Sequence, residues 1–165
     1  MEIGFGTGLN AFLTYLESEK QDTIIRYTGI EAYPLGIPEI EKLNYSTLLK
    51  ASEEKFREIH KVPWEQTCEI SPKFELLKKQ QFFSDIKTED AFHLIFFDAF
   101  GIRVQPHLWT ESIFQAMFTS LKKGGILVTY AANGNARRAM QSVGFSVERL
   151  PGPPGKKEML RATKT

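Results

Sequence analysis

Apolar residues recur along this chain in short runs separated by charged stretches, and their spacing changes from run to run. Leu9, Phe12, Leu13 and Leu16 stand at i, i+3, i+4 and i+7, which predicts a helix with those four on its buried face. Residues 24–32 (IIRYTGIEA) are β-branched and aromatic and predict a strand. Pro34 and Pro38 then punctuate the start of a helical stretch. Residues 39–66 are charged and helix-prone, with Leu43, Tyr45, Leu48 and Leu49 as the expected buried positions and Pro63 as the stop. Residues 74–79 (FELLKK) predict a short strand leading to Ser84-Asp85. The run 91–97 (AFHLIFF), ending at Asp98, predicts a strand buried on both faces. Residues 110–122 read as a helix with Thr110 as N-cap and Gly124-Gly125 as its stop. Residues 126–131 (ILVTYA) form a further buried strand, and Asn133-Gly134 turns the chain into a helix closed by Gly144. Two last strands, 145–150 and 158–163, are joined by the turn-rich Pro151-Gly152-Pro153-Pro154-Gly155.

Strands alternating with helices predict an α/β fold, a mostly parallel, doubly wound, Rossmann-like sheet that ends in an antiparallel hairpin. A chain of 165 residues is long enough to bury a core and is expected to form a single domain. Only Met1, Glu2 and Ile3 precede the first glycine-rich turn. A strand normally runs about five or six residues, so the first strand is expected to be truncated at its start.

That turn carries the first chemical signal. Gly4, Gly6 and Gly8 follow Glu2 in a Gly-x-Gly-x-Gly run, with a helix behind them. Glycines permit φ > 0 and let a ligand approach main-chain N–H groups. A dinucleotide fingerprint needs a third glycine three positions after the second, and position 9 is leucine. The pattern therefore points away from NAD and toward S-adenosylmethionine, which has no pyrophosphate to cradle. Glu31, at the end of the second strand, stands where an acidic residue accepts hydrogen bonds from ribose hydroxyls. Asp85, Asp98 and the turn at 132–134 occupy the other strand ends. Asp98-Ala99-Phe100-Gly101 suits an amine acceptor. Its carboxylate and adjacent carbonyls can accept N–H bonds while the ring stacks on a flat group, and positioning a neutral amine supplies most of the catalysis.

Charge is close to balanced overall but not along the chain. Residues 122–165 hold nine Lys and Arg against two Glu, an excess of seven positive charges in a chain whose net charge is +1. This points to a polyanionic partner at the C-terminal side. Cys68 is the single cysteine, and His60, His93 and His107 lack metal-ligand spacing and read as surface or loop residues, so no metal is expected. No run is long enough to span a membrane, and a reducing, cytoplasmic setting is expected.

The segments EIGFGTGLNAFLT, IEAYPL, FFDAF…QPHLWTESIF, KKGGILVTYAANGNARRAMQSVGF and PGPPGKKEML together resemble the methyltransferase domain of the bifunctional tRNA 5-methylaminomethyl-2-thiouridine biosynthesis proteins, of which a stand-alone form exists. The resemblance runs over nearly the whole chain in the same motif order. It implies a Rossmann-like, S-adenosylmethionine-dependent enzyme that methylates the aminomethyl nitrogen of 5-aminomethyl-(2-thio)uridine at the wobble position of tRNA. It further implies that Glu2, Gly4, Gly6 and Gly8 form the cofactor loop, that Glu31 takes the ribose and that Asp85 lies near the adenine. Asp98 and Phe100 would hold the substrate amine and base. Arg137, Arg138, Lys156 and Lys157 would contact tRNA phosphates. Two stretches depart from the family pattern: Gly101-Ile102-Arg103-Val104 after the Asp98 turn, and Asn135 before Ala136-Arg137-Arg138. The family's FAD-binding oxidoreductase domain is not among these residues, so the aminomethyl substrate is expected to come from another source. The alternatives are another amine methyltransferase or an aminopropyltransferase on the same fold, or an inactive fragment that keeps only the fold.

Overall fold

The structure is a computed structural model that describes residues 1–152 and 154–165. The expected turn at Pro153 lies outside the described residues. Contacts gather the chain into two compact units, residues 2–81 and residues 82–165 with Met1.

In residues 2–81, β1 (Glu2–Ile3) leads through the glycine turn into α1 (Leu9–Ser18) and β2 (Ile25–Glu31). Three short helices follow, α2 (Ile37–Ile40), α3 (Tyr45–Leu48) and α4 (Glu53–Lys61), and then β3 (Thr67–Ser71) and β4 (Phe74–Gln80). The strand order is β3-β4-β2-β1. β1 and β4 run parallel to β2, whereas β3 is antiparallel to β4. Phe12, Phe56, Ile59, Phe74, Leu76, Ile3 and Ile30 are almost fully buried in this unit.

Three sequence expectations change here. α1 buries Ala11, Phe12, Tyr15 and Ser18, while Leu13 is 41% exposed. The two aromatic rings set the face: Phe12 packs on Phe56 and Tyr15 on Phe74, which turns Leu13 outward. The helical stretch 39–66 is broken into three pieces, and Leu48 and Leu49 are exposed rather than buried. The break has a local cause. Lys50 takes φ 51°, and Ser52 then caps α4 by accepting the Lys55 N–H at 3.2 Å, with Glu53 and Glu54 in the first turn. Finally, β3 forms where no strand was expected, because Thr67–Ser71 buries only Ile70 and offers no run of apolar residues.

In the second unit, the order along the chain is β5 (Phe92–Phe97), α5 (Glu111–Ser120), β6 (Leu121–Thr129), α6 (Gly134–Ser142), β7 (Phe145–Pro151) and β8 (Glu158–Lys164). Single 3₁₀ turns occur at Phe83–Asp85 and Pro106–Trp109. The strand order is β5-β6-β8-β7, with β5 and β6 parallel and β8 antiparallel to both neighbours. The closing hairpin is thus present, and its second strand sits between β6 and β7. Ile95, Phe97, Trp109, Phe114, Met117, Leu127, Met140 and Leu160 form the core.

β6 begins at Leu121, directly after α5, so Gly124-Gly125 is not a helix stop. Phe92 pairs with Leu121 but Leu94 pairs with Ile126, and the glycines lie in the irregularity that absorbs the extra residues. Gly124 has φ 77°, and a side chain on Gly125 would run into the Lys122 carbonyl. β5 is also less enclosed than its apolar run predicts, since Ile95 and Phe97 are buried but Leu94 is 38% exposed.

Candidate functional site

The first unit builds a glycine cradle. Gly4, Gly6 and Gly8 have φ of 88°, 48° and 69°, so alternate residues turn left-handed between β1 and α1. The Gly4 and Phe5 N–H groups both donate to the Ile30 carbonyl at 3.0 Å, which ties the loop to the end of β2. The Glu31 carboxylate then accepts from the Gly6 N–H and from the Tyr33 N–H, each at 3.0 Å. Each oxygen keeps a further acceptor position, so a pair of ribose hydroxyls can still be received. A side chain built on Gly6 would meet nothing nearer than the Gly4 carbonyl at 3.8 Å, so this side of the loop is open. α1 starts directly behind Gly8 with no acidic side chain in its first turn, and its positive end is left for a ligand. An open face at Gly6 and an anchored carboxylate, without a phosphate cradle, fit S-adenosylmethionine.

Glu2 is 1% exposed, and its carboxylate accepts from Asn10 Nδ2 and from the Tyr27 hydroxyl at 2.8 Å each. The bonds join the strand before the loop, the helix after it and β2, so Glu2 braces the loop from inside.

Beneath the loop lie His60 and Lys78. His60 packs edge-on against Phe5 and Phe56, and its Nε2 is buried without a hydrogen-bond partner among the described residues. A Cβ on Gly8 would stand 3.0 Å from that nitrogen. Burial, and then the charge of Lys78, push its pKa down to about 4, against a weaker opposing pull from the Thr7 backbone. His60 is therefore neutral at physiological pH and is not the surface or loop residue expected. The signal was its place at i+4 from Phe56, on the one apolar face of α4. Lys78, 1% exposed, donates to the His60 carbonyl at 2.7 Å and lies over the rings of Trp64 and Phe5. Burial lowers its pKa to about 8.

The second unit carries the acceptor turn. Asp98 ends β5 and is exposed, Ala99 is buried, and Phe100 is 67% exposed. The two carbonyls after Asp98 are held from behind: Tyr130 donates its hydroxyl to Ala99 O at 2.9 Å, and Trp109 Nε1 donates to Phe100 O at 2.8 Å. Trp109 is buried edge-on against Phe97, Phe114 and Tyr130. Burial, and secondly the Asp98 carboxylate, push the Tyr130 phenol above its usual range. The Lys156 ammonium sits 3.7 Å from the centre of the Tyr130 ring. Neither Tyr130 nor Trp109 carries a sequence signal of its own, although Trp109 lies in the segment QPHLWTESIF.

The remaining expected residues are placed as follows. Asp85 is exposed at the end of the Phe83–Asp85 turn, where its Oδ1 accepts from Ser84. Arg137 and Arg138 lie in the first half of α6, whose N-cap Asn133 accepts the Ala136 N–H at 2.8 Å. Arg138 reaches back to Asn135 Oδ1 at 2.5 Å, and Lys157 is exposed. The structure therefore joins Glu2, the glycines and Glu31 in one bonded loop, and links Asp98, Phe100 and Lys156 through Tyr130 and Trp109. Among the described residues, no group of three His, Cys, Asp or Glu could hold a metal, and no helix is long and apolar enough to cross a membrane.

Residues 45–165 match the profile of a family described as S-adenosyl-L-methionine-dependent methyltransferase. A protein of Leptospira borgpetersenii, named tRNA 5-methylaminomethyl-2-thiouridine biosynthesis bifunctional protein MnmC, is 31% identical over 171 residues, covering 97% of this chain and 26% of its own length. The protein of the same name from Idiomarina loihiensis is 28% identical over 178 residues, covering 96% of this chain and 28% of that one. The chain thus spans about a quarter of the length of these relatives. Among solved structures, MnmC2 from Aquifex aeolicus superposes with a TM-score of 0.69 at 19% identity, covering 99% of this chain and 52% of that one. Spermidine synthase from Thermotoga maritima gives 0.62 at 20% identity, covering 99% and 53%. These likenesses give the chain a Rossmann-like fold.

Proposed function

We propose that this chain, which belongs to the S-adenosyl-L-methionine-dependent methyltransferase family, methylates the aminomethyl nitrogen of 5-aminomethyl-(2-thio)uridine at the tRNA wobble position in the cytoplasm. The observation that carries the reading is the Asp98–Phe100 turn: an exposed carboxylate and an exposed ring, two residues apart, on a backbone held by buried donors. The relatives, named for biosynthesis of 5-methylaminomethyl-2-thiouridine in tRNA, support it along at least 96% of this chain.

Gly4, Gly6, Gly8 and Glu31 would hold S-adenosylmethionine, the open face of the loop and the start of α1 toward its amino-acid part and Glu31 toward its ribose; Asp85 would stand by the adenine. When bound, that cofactor supplies an electrophilic methyl group on a sulfonium sulfur. Asp98 accepts an N–H of the neutral amine and aims the nitrogen lone pair, while Phe100 stacks on the pyrimidine. Asp98 would also be the near acceptor for the proton that the amine gives up once it has taken the methyl group. Arg137, Arg138, Lys156 and Lys157 would supply charge for the phosphates of the anticodon loop.

The test is transfer of labelled methyl from S-adenosylmethionine to two anticodon stem-loops, one bearing 5-aminomethyluridine and one bearing plain uridine. The reading predicts label in the first alone, with affinity that falls steeply as salt rises. Label in both, or in a polyamine instead, would replace it with a different acceptor.

A further inference from the structure

We propose that Tyr130 and Trp109 are positioning residues of the acceptor turn, and that their two hydrogen bonds fix the backbone from which Asp98 and Phe100 meet the amine-bearing base. The proposal rests on the functional reading above and adds to it the residues that preorganise the turn.

Asp98 and Phe100 are exposed, and the turn continues into Gly101. Its carbonyls are held from two other elements. The residue directly after β6 supplies the Tyr130 hydroxyl, and the Pro106–Trp109 turn supplies the indole N–H. The two donors take successive carbonyls, Ala99 O and Phe100 O. The indole cannot swing away easily, because Trp109 is 3% exposed among Phe97, Phe114 and Tyr130. The phenol is held by the same packing on one side and by the Lys156 ammonium over its ring.

The arrangement also leaves acceptor capacity in place. A carbonyl oxygen can accept two hydrogen bonds, and the clamp uses one on each. The second position on Ala99 O or Phe100 O remains for an N–H of the substrate, next to the Asp98 carboxylate. Tyr130 and Trp109 thus act on the substrate through the backbone. Lys156, expected to contact tRNA phosphates, is exposed, and its ammonium lies over the Tyr130 ring.

The deciding variant is Tyr130→Phe, which keeps the ring, its packing and the seat of Lys156 and removes one O–H. Trp109→Phe is the companion. Amide hydrogen exchange of residues 98–105 is measured with the unfolding midpoint, cofactor affinity and turnover on the aminomethyluridine stem-loop. Loss of one hydrogen bond predicts exchange in this segment faster by about tenfold and turnover lower by about tenfold in Tyr130→Phe. Cofactor affinity should stay within about twofold, and exchange in the strands should be unchanged. Exchange at the wild-type rate overturns the clamp, and so does faster exchange with undiminished turnover. Failure of the functional reading is distinguishable. It shows as a wild-type protein that transfers no methyl to the stem-loop, and the exchange comparison then still decides whether these side chains hold the turn.

Discussion

Replacing Gly6 and Gly8 by alanine, one at a time, separates ligand binding from fold stability within a single loop. At Gly8 the backbone is left-handed, φ 69°, and the new Cβ would lie 3.0 Å from His60 Nε2, 3.1 Å from Cε1 and 3.4 Å from Phe5 Cζ. The left-handed conformation costs an L-residue roughly 1–2 kcal/mol. The imidazole is wedged between Phe5 and Phe56, so overpacking adds about 1 kcal/mol, the low end of its range. Gly8→Ala should therefore lose about 2–3 kcal/mol, which leaves a domain of ordinary stability folded. At Gly6 the backbone term is similar, but the methyl group would point into open space. Gly6→Ala should lose only about 1–2 kcal/mol. Its methyl group would stand on the open face by which a ligand approaches the loop, so cofactor affinity should fall by about 100-fold, on the scale of a few lost contacts. Urea unfolding followed by circular dichroism gives the first quantity, and isothermal titration with S-adenosylmethionine gives the second. Wild-type cofactor affinity in Gly6→Ala would refute the loop assignment. Equal stability of the two variants would refute the contact between Gly8 and His60.

Asp98→Ala should lower turnover by about 10²–10⁴-fold while cofactor affinity measured by titration stays near wild type, the pattern of a group that serves the acceptor. His60 titrates at about 4 in the folded protein against 6.5 unfolded, so folding favours its neutral form. The corresponding stability is fully present above pH 6.5 and is lost as pH falls through 4, a loss of about 2 kcal/mol after allowance for its partial exposure. Unfolding measured from pH 7 to 4 should show this slope in the wild type and a shallower one in His60→Gln. Arg137→Ala and Arg138→Ala should each weaken tRNA binding and flatten the dependence of log affinity on log salt by about 0.7–0.9. Unchanged slopes would remove these two residues from the phosphate-binding surface.

Elements with strong apolar periodicity were legible in the sequence, and those defined by neighbours were not. β2, β4, β5, α5, α6 and the β7–β8 hairpin lie within a few residues of their expected places, because each carries its own run of apolar residues or its own cap, as Asn133 does for α6. β3 is short and mostly polar, and it exists through its pairing with β4. The charged stretch 39–66 contains enough leucines to suggest a long amphipathic helix, yet the buried contacts come from Phe56 and Ile59 while Leu48 stays in solvent. The same division holds in the site. Gly4, Gly6, Gly8, Glu31 and Asp98 stood out by residue type and spacing. His60, Lys78, Trp109 and Tyr130 matter through partners far away in sequence: His60 meets Phe5, and Tyr130 meets Ala99.

Mass spectrometry of nucleosides released from tRNA bearing 5-aminomethyl-2-thiouridine, after incubation with this protein and S-adenosylmethionine, tests the central claim most directly. The account predicts one methyl group gained on that nucleoside, located on its side-chain nitrogen, and none gained on any other nucleoside. A methyl group on a ring atom or a ribose, or an unchanged 5-aminomethyl-2-thiouridine in the presence of bound cofactor, would contradict it.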